Sequence, residues 1–568
     1  MSRPVLEIED LWYKYPYTDK WVLKGINLRV EKGEFIVLTG RSGCGKSTLA
    51  LTICGYIPHV IEKGVLKGRV TVDGVDTRSK PLHQLTQMVG VVLQNPEDQL
   101  FALTVEQDVA FGPENLAMPK DEVRRRVDQA MKDAGVYEIR DRPIFSLSGG
   151  QKQRTAIAGI LAMEPSIIIF DEPTSDLDPQ GAYSVLNVIS DIQRRRDVTV
   201  ILIEHRLDEV SKYADRIILM EDGEILIDDE PHKAYRELDK FLDRGVRPPQ
   251  VSEAAYKYGG DTRIPITLDE GVEFFQDRVN GLKPPSIETE ESITRGDVVI
   301  EARDVWHTYP NGVTALKGVD LEISEGEMVA LIGKNGSGKS TLSQMMVGLL
   351  KPTRGIVKIY GHDVRTTPME EIIRYVGYVF QNPDHQLFTN TVLDELSFGP
   401  RNLGIDEDEV GRRVEEALKI LGLEEFRERH PQSLSRGQRR RLAVATILTM
   451  EPKILILDEP TTGQDWGHSV KLMEIARRLN RERGVTILFI THDMRIVAEY
   501  ADRVILLHEG EKVFDGSPRE IFSSRWIYQY NILPPYISQL SQRLFGEENT
   551  VLSVEEFLNI IQRVGVRE

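Results

Sequence analysis

The sequence predicts an α/β fold that occurs twice in one chain, and three observations carry that expectation. The chain repeats itself over most of its length, each copy runs a buried strand into a glycine-rich loop and then a helix, and each copy holds apolar runs with almost no alternation. Gly40-Arg-Ser-Gly-Cys-Gly-Lys-Ser-Thr48 returns 293 residues later as Gly333-Lys-Asn-Gly-Ser-Gly-Lys-Ser-Thr341. Downstream the offset settles at 287, from Gln94 to Gln381, Gln151 to Gln438, Glu172 to Glu459 and His205 to His492. Plain scaffold keeps the same register, since Tyr213-Ala-Asp-Arg-Ile-Ile-Leu returns as Tyr500-Ala-Asp-Arg-Val-Ile-Leu, so whole domains are duplicated.

Length and composition agree with a multidomain globular chain. The 568 residues exceed what one hydrophobic core holds, and 40% hydrophobic with 28% charged residues is the ordinary globular range. The longest apolar runs, such as 166–170 and 198–203, fall far short of the ~18 residues that cross a bilayer. The start of the sequence lacks the apolar core of a secretory signal, so a cytoplasmic location is expected. Cys44 and Cys54 are too few for a zinc ribbon or an iron–sulfur cluster. A net charge of −18 leaves little counterion release to gain from a polyanion, so no nucleic-acid partner is expected.

The elements follow in order. Residues 34–39 and 327–332 read as buried strands that lead into the glycine loops. In the pattern G-x-x-x-x-G-K-[ST], backbone N–H groups curl around phosphate oxygens at a helix N-terminus. The first loop offers Gly40, Ser42, Gly43, Cys44 and Gly45 for this, and the second Gly333, Asn335, Gly336, Ser337 and Gly338. Lys46 and Lys339 then reach the β- and γ-phosphates of a nucleoside triphosphate; Ser47 and Ser340 give a hydroxyl to Mg²⁺, and Thr48 and Thr341 hydrogen-bond phosphate.

Ile167-Ile-Ile-Phe170 and Ile454-Leu-Ile-Leu457 have the continuous apolar character of central parallel strands covered on both faces. Asp171 and Asp458 end these strands, where a carboxylate holds Mg²⁺ through water, and the adjoining Glu172 and Glu459 are placed to polarise an attacking water. Before each strand, Leu147-Ser148-Gly149-Gly150-Gln151 and Leu434-Ser435-Arg436-Gly437-Gln438 open a helix whose first amides and serine hydroxyl make an anion site. The glycine-to-arginine change at Arg436 makes the two sites chemically unequal, and unequal hydrolysis rates are expected from it.

Taken together, these motifs resemble the nucleotide-binding subunits of ABC (ATP-binding cassette) transporters, over nearly the full chain. The resemblance implies two P-loop NTPase domains, each with a RecA-like core, an antiparallel β subdomain and a helical subdomain. It implies ATP and Mg²⁺ as cofactors, with each ATP held between the glycine loop of one cassette and the signature loop of the other. By matching position, Tyr15 and Tyr309 would stack on adenine, Gln94 and Gln381 would touch Mg²⁺, His205 and His492 would be the switch histidines, and Asp178 and Asp465 would be the D-loop aspartates.

Gln94-Asn-Pro-Glu-Asp-Gln-Leu-Phe101 and Gln381-Asn-Pro-Asp-His-Gln-Leu-Phe388, each followed by Phe-Gly-Pro, are similar to the energy-coupling factor (ECF) ATPases of vitamin and of cobalt or nickel uptake. That resemblance implies a transmembrane coupling protein and a small substrate-binding membrane protein as partners, on the cytoplasmic face of the membrane. The acidic residues Glu97, Asp98 and Asp384 are candidate docking contacts, with helix capping and solvation as the competing role. A soluble tandem ATPase of translation or DNA repair is the rival reading, disfavoured by the short acidic linker and the missing cysteine clusters. The expected domains are 1–235 and 297–522 for the cassettes, with extensions at 236–296, including a linker at 281–296, and at 523–568.

Overall fold

The computed structural model describes residues 3–175, 177–260, 263–279 and 296–565. These form two compact units whose boundary along the chain falls between residues 278 and 279. Apart from Gly296, the expected linker lies outside the described residues.

The strands of the first unit are β1 (Leu6–Lys14), β2 (Leu23–Val30), β3 (Phe35–Gly40), β4 (Val65–Val72), β5 (Val75–Asp76), β6 (Val89–Val92), β7 (Ile167–Asp171), β8 (Thr199–Ile203), β9 (Arg216–Glu221) and β10 (Glu224–Asp229). An antiparallel sheet has the order β2-β1-β4-β5, and a second sheet the order β10-β9-β3-β8-β7-β6, parallel except for β10. Parallel strands need crossovers, and the helices that supply them cover both faces of the sheet.

The continuous apolar runs therefore divide by residue parity. Ile36, Leu38, Ile167, Ile169, Ile201 and Ile203 pack with Leu6, Ile8, Val70 and Val72 of the antiparallel sheet and with Leu49 and Ile53 of the helix Lys46–Ile53. Their neighbours Phe35, Val37, Ile168, Phe170, Val200 and Leu202 pack against the helices Lys120–Asp133, Gly149–Leu161 and Pro179–Arg196. With an apolar partner on either side, the polar residues of these strands are confined to their ends, Thr39, Asp171 and Thr199.

The second unit repeats the plan with β11 (Val298–Thr308), β12 (Thr314–Ser324), β13 (Met328–Ile332), β14 (Arg354–Ile359), β15 (His362–Asp363), β16 (Val376–Val379), β17 (Ile454–Asp458), β18 (Thr486–Ile490), β19 (Arg503–His508) and β20 (Glu511–Gly516). Its sheets have the orders β12-β11-β14-β15 and β16-β17-β18-β13-β19-β20, the same neighbours as in the first unit. The six-residue change of offset, from 293 to 287, lies after the glycine-loop helix, where the first unit builds the short helix Tyr56–His59.

Helices follow each cassette, Gln250–Tyr258 and Leu268–Val279 in the first unit, Tyr536–Phe545 and Val554–Gly565 in the second. In the first unit the core runs on without a break, since Tyr235, Leu238, Phe241, Val246, Ile264 and Ile266 join the cluster that holds Val200 and Leu219. The Ser252 hydroxyl donates to the Pro265 carbonyl at 2.5 Å, and Ser538 donates to Val551 in the same way, also at 2.5 Å. Among the described residues no helix is long and apolar enough to cross a membrane.

Candidate active site

The glycine loop is shaped by contacts that admit no side chain. Gly40 has φ 147° and a Cβ there would lie 2.2 Å from the Met220 carbonyl oxygen; Gly45 has φ 111° and a Cβ would lie 2.9 Å from that of Val22. Only glycine takes these conformations without strain, and the loop amides are thereby turned inward ahead of the helix Lys46–Ile53. Lys46 is buried, its ammonium donating to the carbonyls of Gly40 at 2.7 Å and Arg41 at 3.1 Å. Lys339 does the same with Gly333 at 2.8 Å and Lys334 at 2.9 Å. The Cys44 side chain belongs to the hydrophobic core, where burial pushes its thiol pKa up, and its backbone N–H donates to the Arg41 carbonyl at 3.2 Å.

Each loop serine meets the acid at the end of the central strand. Burial raises both carboxyls above the usual range, with the Glu172 charge adding to the effect at Asp171, and outweighs Ser47 beside Asp171 and Ser340 beside Asp458, which act to lower the pKa of each acid. Oδ1 of Asp458 is buried without a hydrogen-bond partner among the described residues, an acceptor suited to a metal-bound water. Serine hydroxyls and carboxylates are hard oxygen donors, so the set fits Mg²⁺, which keeps most of its own waters. The hydroxyls of Thr48 and Thr341 bond those of Tyr15 and Tyr309, at 3.1 Å and 3.0 Å, which brings the expected adenine-stacking rings to the P-loop helices.

Glu172 and Glu459 sit in the left-handed region, φ 48° and 49°, and their amides donate to Ile203 and Ile490 at 3.0 Å and 2.9 Å. A bulky residue held there is strained, and such strain concentrates at functional sites. Two expected residues converge at Glu172: His205 Nε2 lies 2.9 Å from Oε1 and Gln94 Nε2 donates to Oε2 at 3.0 Å. At Glu459, His492 Nε2 is 3.0 Å from Oε1 and Thr462 donates to Oε2 at 3.2 Å; His492 Nε2 is also 2.9 Å from Asn335 Oδ1. Burial is the main reason the Glu459 carboxyl is pushed up to about 7. Gln381 is exposed at this second site.

The signature segments cap their own helices. The Ser148 hydroxyl accepts from the Gln151 amide at 3.4 Å while Gln151 Oε1 accepts from the Ser148 amide at 3.0 Å; Ser435 and Gln438 repeat the exchange at 3.3 Å and 2.8 Å. Gly149 and Gly150, like Arg436 and Gly437, begin the helices Gly149–Leu161 and Arg436–Leu448. The Arg436 guanidinium lies over Gly463, where a Cβ would come within 3.2 Å of Cζ. Asp178 caps the helix Pro179–Arg196, accepting from the Gly181 amide at 2.8 Å, and Asp465 immediately precedes the helix Trp466–Arg483.

Two of the three docking candidates hold partners at equivalent places. Glu97 pairs with Lys152, and Asp384 with Arg439 at 3.2 Å; Asp98 is exposed. Beside them Phe101 and Phe111 pack edge to face with ring centroids 4.4 Å apart, as Phe388 and Phe398 do at 4.9 Å. Phe101 and Phe388 remain 62% and 66% exposed, a high value for so large an apolar ring. Sequence reading missed Tyr378 and Arg440, buried residues at the second site whose counterparts are Val91 and Gln153; the departures are visible once the repeats are set in register.

The profile of the ABC transporter family matches residues 23–175 and 316–462. A protein of Caldanaerobacter subterraneus subsp. tengcongensis, named as an ABC transporter ATP-binding protein, is 44% identical over 573 residues, which cover 99% of this chain and all of that one. A similarly named protein of Methanosarcina mazei is 42% identical over 555 residues, 94% of this chain and 93% of that one. Among solved structures, cbiO1 from Clostridium perfringens, described as part of the ABC transporter complex cbiONQ, is 38% identical over 43% of this chain and 98% of that chain, with a TM-score of 0.38. The glycine loops, the strand-end acids and the match across both halves make the chain a member of the ABC transporter family, an ATP-binding protein with two cassettes that hydrolyses ATP with Mg²⁺.

Proposed function

We propose that this ATPase is the energy-coupling subunit of an ECF-type uptake transporter and drives a transmembrane coupling protein from the cytoplasmic face of the membrane. The observation that carries the reading is the repeated surface next to each glutamine loop. There Gln-Asn-Pro leads to an exposed aromatic pair, Phe101 with Phe111 and Phe388 with Phe398, beside the acids Glu97, Asp98 and Asp384. An exposed apolar pair close in sequence to acids that can exchange Lys152 or Arg439 for a partner's base suits a helix that carries both apolar and basic residues.

In the chemical step, Lys46 and the loop amides hold the β- and γ-phosphates, and Ser47, Asp171 and Gln94 are the residues that would hold Mg²⁺. The ion supplies positive charge to phosphate oxygens when bound. Glu172 orients a water and takes its proton as the new bond forms to the γ-phosphorus and the bond to the bridging oxygen breaks, releasing ADP and phosphate. His205 Nε2 fixes the Oε1 edge of that carboxylate. Lys339, Ser340, Asp458, Gln381, Glu459 and His492 have the same roles at the second site.

Affinity purification of the full chain from detergent-solubilised membranes tests the reading. Integral membrane proteins should co-purify, and Phe101→Ala with Phe388→Ala should cut their recovery about tenfold or more, since buried aromatic anchors dominate interfaces. Recovery with ribosomes or DNA, and not with membranes, would overturn it in favour of a soluble tandem ATPase.

A further inference from the structure

The two cassettes differ at a buried position beside the metal-binding acid. Val91 on β6 and Tyr378 on β16 are counterparts 287 residues apart. Tyr378 pairs in register with Ile456 of the neighbouring strand, so its side chain shares a face with Asp458 two residues on. Its hydroxyl donates to Asp458 Oδ2 at 2.7 Å and lies 3.3 Å from Ser343 Oγ. Val91 faces Ile169, two residues before Asp171, from the same place and has no group to give that acid.

The second acid is braced from the backbone side as well. The buried guanidinium of Arg440 donates to the carbonyls of Gln381 at 2.7 Å, Asp458 at 3.1 Å and Glu459. Its counterpart Gln153 donates to Leu93 at 3.5 Å, a contact at the limit of a hydrogen bond. Oδ2 of Asp458 is thus tied to a side chain rooted on the next strand, and Oδ1 is left as the free acceptor.

We propose that Tyr378 is a positioning residue for Mg²⁺, so that the second cassette binds its metal more tightly than the first. Donation to Oδ2 draws some charge from the carboxylate and weakens it as a ligand, while fixing the rotation that aims Oδ1. Fixing the ligand is the larger effect, because hydrogen-bonded partners of metal ligands change affinity by about 10- to 100-fold when removed.

Mn²⁺ in place of Mg²⁺, with a non-hydrolysable ATP analogue, lets the free ion be counted by electron paramagnetic resonance without turnover. The full-length chain should show two nucleotide-dependent classes of Mn²⁺ site. Tyr378→Phe, which keeps the ring, should weaken the tighter class about tenfold and leave the weaker one in place. Ser340→Ala should abolish the tighter class and Ser47→Ala should spare it. A single class in the unaltered chain, a Tyr378→Phe isotherm that is unchanged or weakened equally in both classes, or loss of the tighter class in Ser47→Ala would each overturn the proposal. A lower unfolding temperature with an unchanged isotherm would make the tyrosine a packing residue alone.

Discussion

Glu172 is held by two side chains from different strand ends, so its neighbours can be separated by mutation. Glu172→Gln would remove the proposed proton acceptor and should lower the ATPase rate by about 10²- to 10⁴-fold at its site, the range for a general base. Glu459→Gln should do the same at the other, and the residual rates of the two variants should differ in a steady-state assay, because Arg436, Tyr378 and Arg440 have no equivalents in the first cassette. His205→Ala leaves Oε1 of Glu172 without its 2.9 Å partner and should lower kcat about tenfold or more, with KM for ATP nearly unchanged. The reason is that the imidazole touches the carboxylate and not the loop that binds phosphate.

The central sheet and its glycine loop form one packed element, and its tolerance to change follows from the distances. Gly40→Ala would force a Cβ to 2.2 Å from a backbone oxygen that has no freedom to retreat, so the variant should lose several kcal/mol, about 3 or more, in urea unfolding. Phe170→Ala, at a fully buried ring between the sheet and its helices, should cost about 3–5 kcal/mol. Ser148→Ala removes one half of a capping box and should cost about 1 kcal/mol of stability. The strand faces were legible in the sequence only in part. Unbroken apolar runs announce two covered faces, yet which residues meet the antiparallel sheet and which the helices depends on where the strands lie, since parity alone does not name the side.

Over the whole molecule, the duplication decides which surfaces matter. A single exposed phenylalanine needs no explanation, but the Phe101–Phe111 and Phe388–Phe398 pairs occupy equivalent places in both units, together with the ion pairs Glu97–Lys152 and Asp384–Arg439. Charge reversal at the exposed Asp98 should weaken complex assembly with a membrane partner, measured by co-purification, and intact assembly would remove it from the docking contacts. Motif residues were readable because phosphate and Mg²⁺ chemistry demands particular side chains at short, fixed spacings: glycine, lysine and serine within one loop, aspartate and glutamate side by side. The partners of Glu97 and Asp384 were not readable, since a lysine or arginine 55 residues away becomes a neighbour only after the helix Gly149–Leu161, or its repeat Arg436–Leu448, docks beside the glutamine loop.

The sequence alone determined that the chain holds two ATP-hydrolysing cassettes, because the side chains that phosphate and Mg²⁺ chemistry requires lie in short contiguous motifs and the motifs occur twice. Tertiary structure alone decided that the two sites are unlike in their support: Tyr378 reaches Asp458 across 80 residues, and Arg440 reaches three carbonyls from two segments. Such contacts are set by which strands and helices lie side by side, and no local spacing records that order.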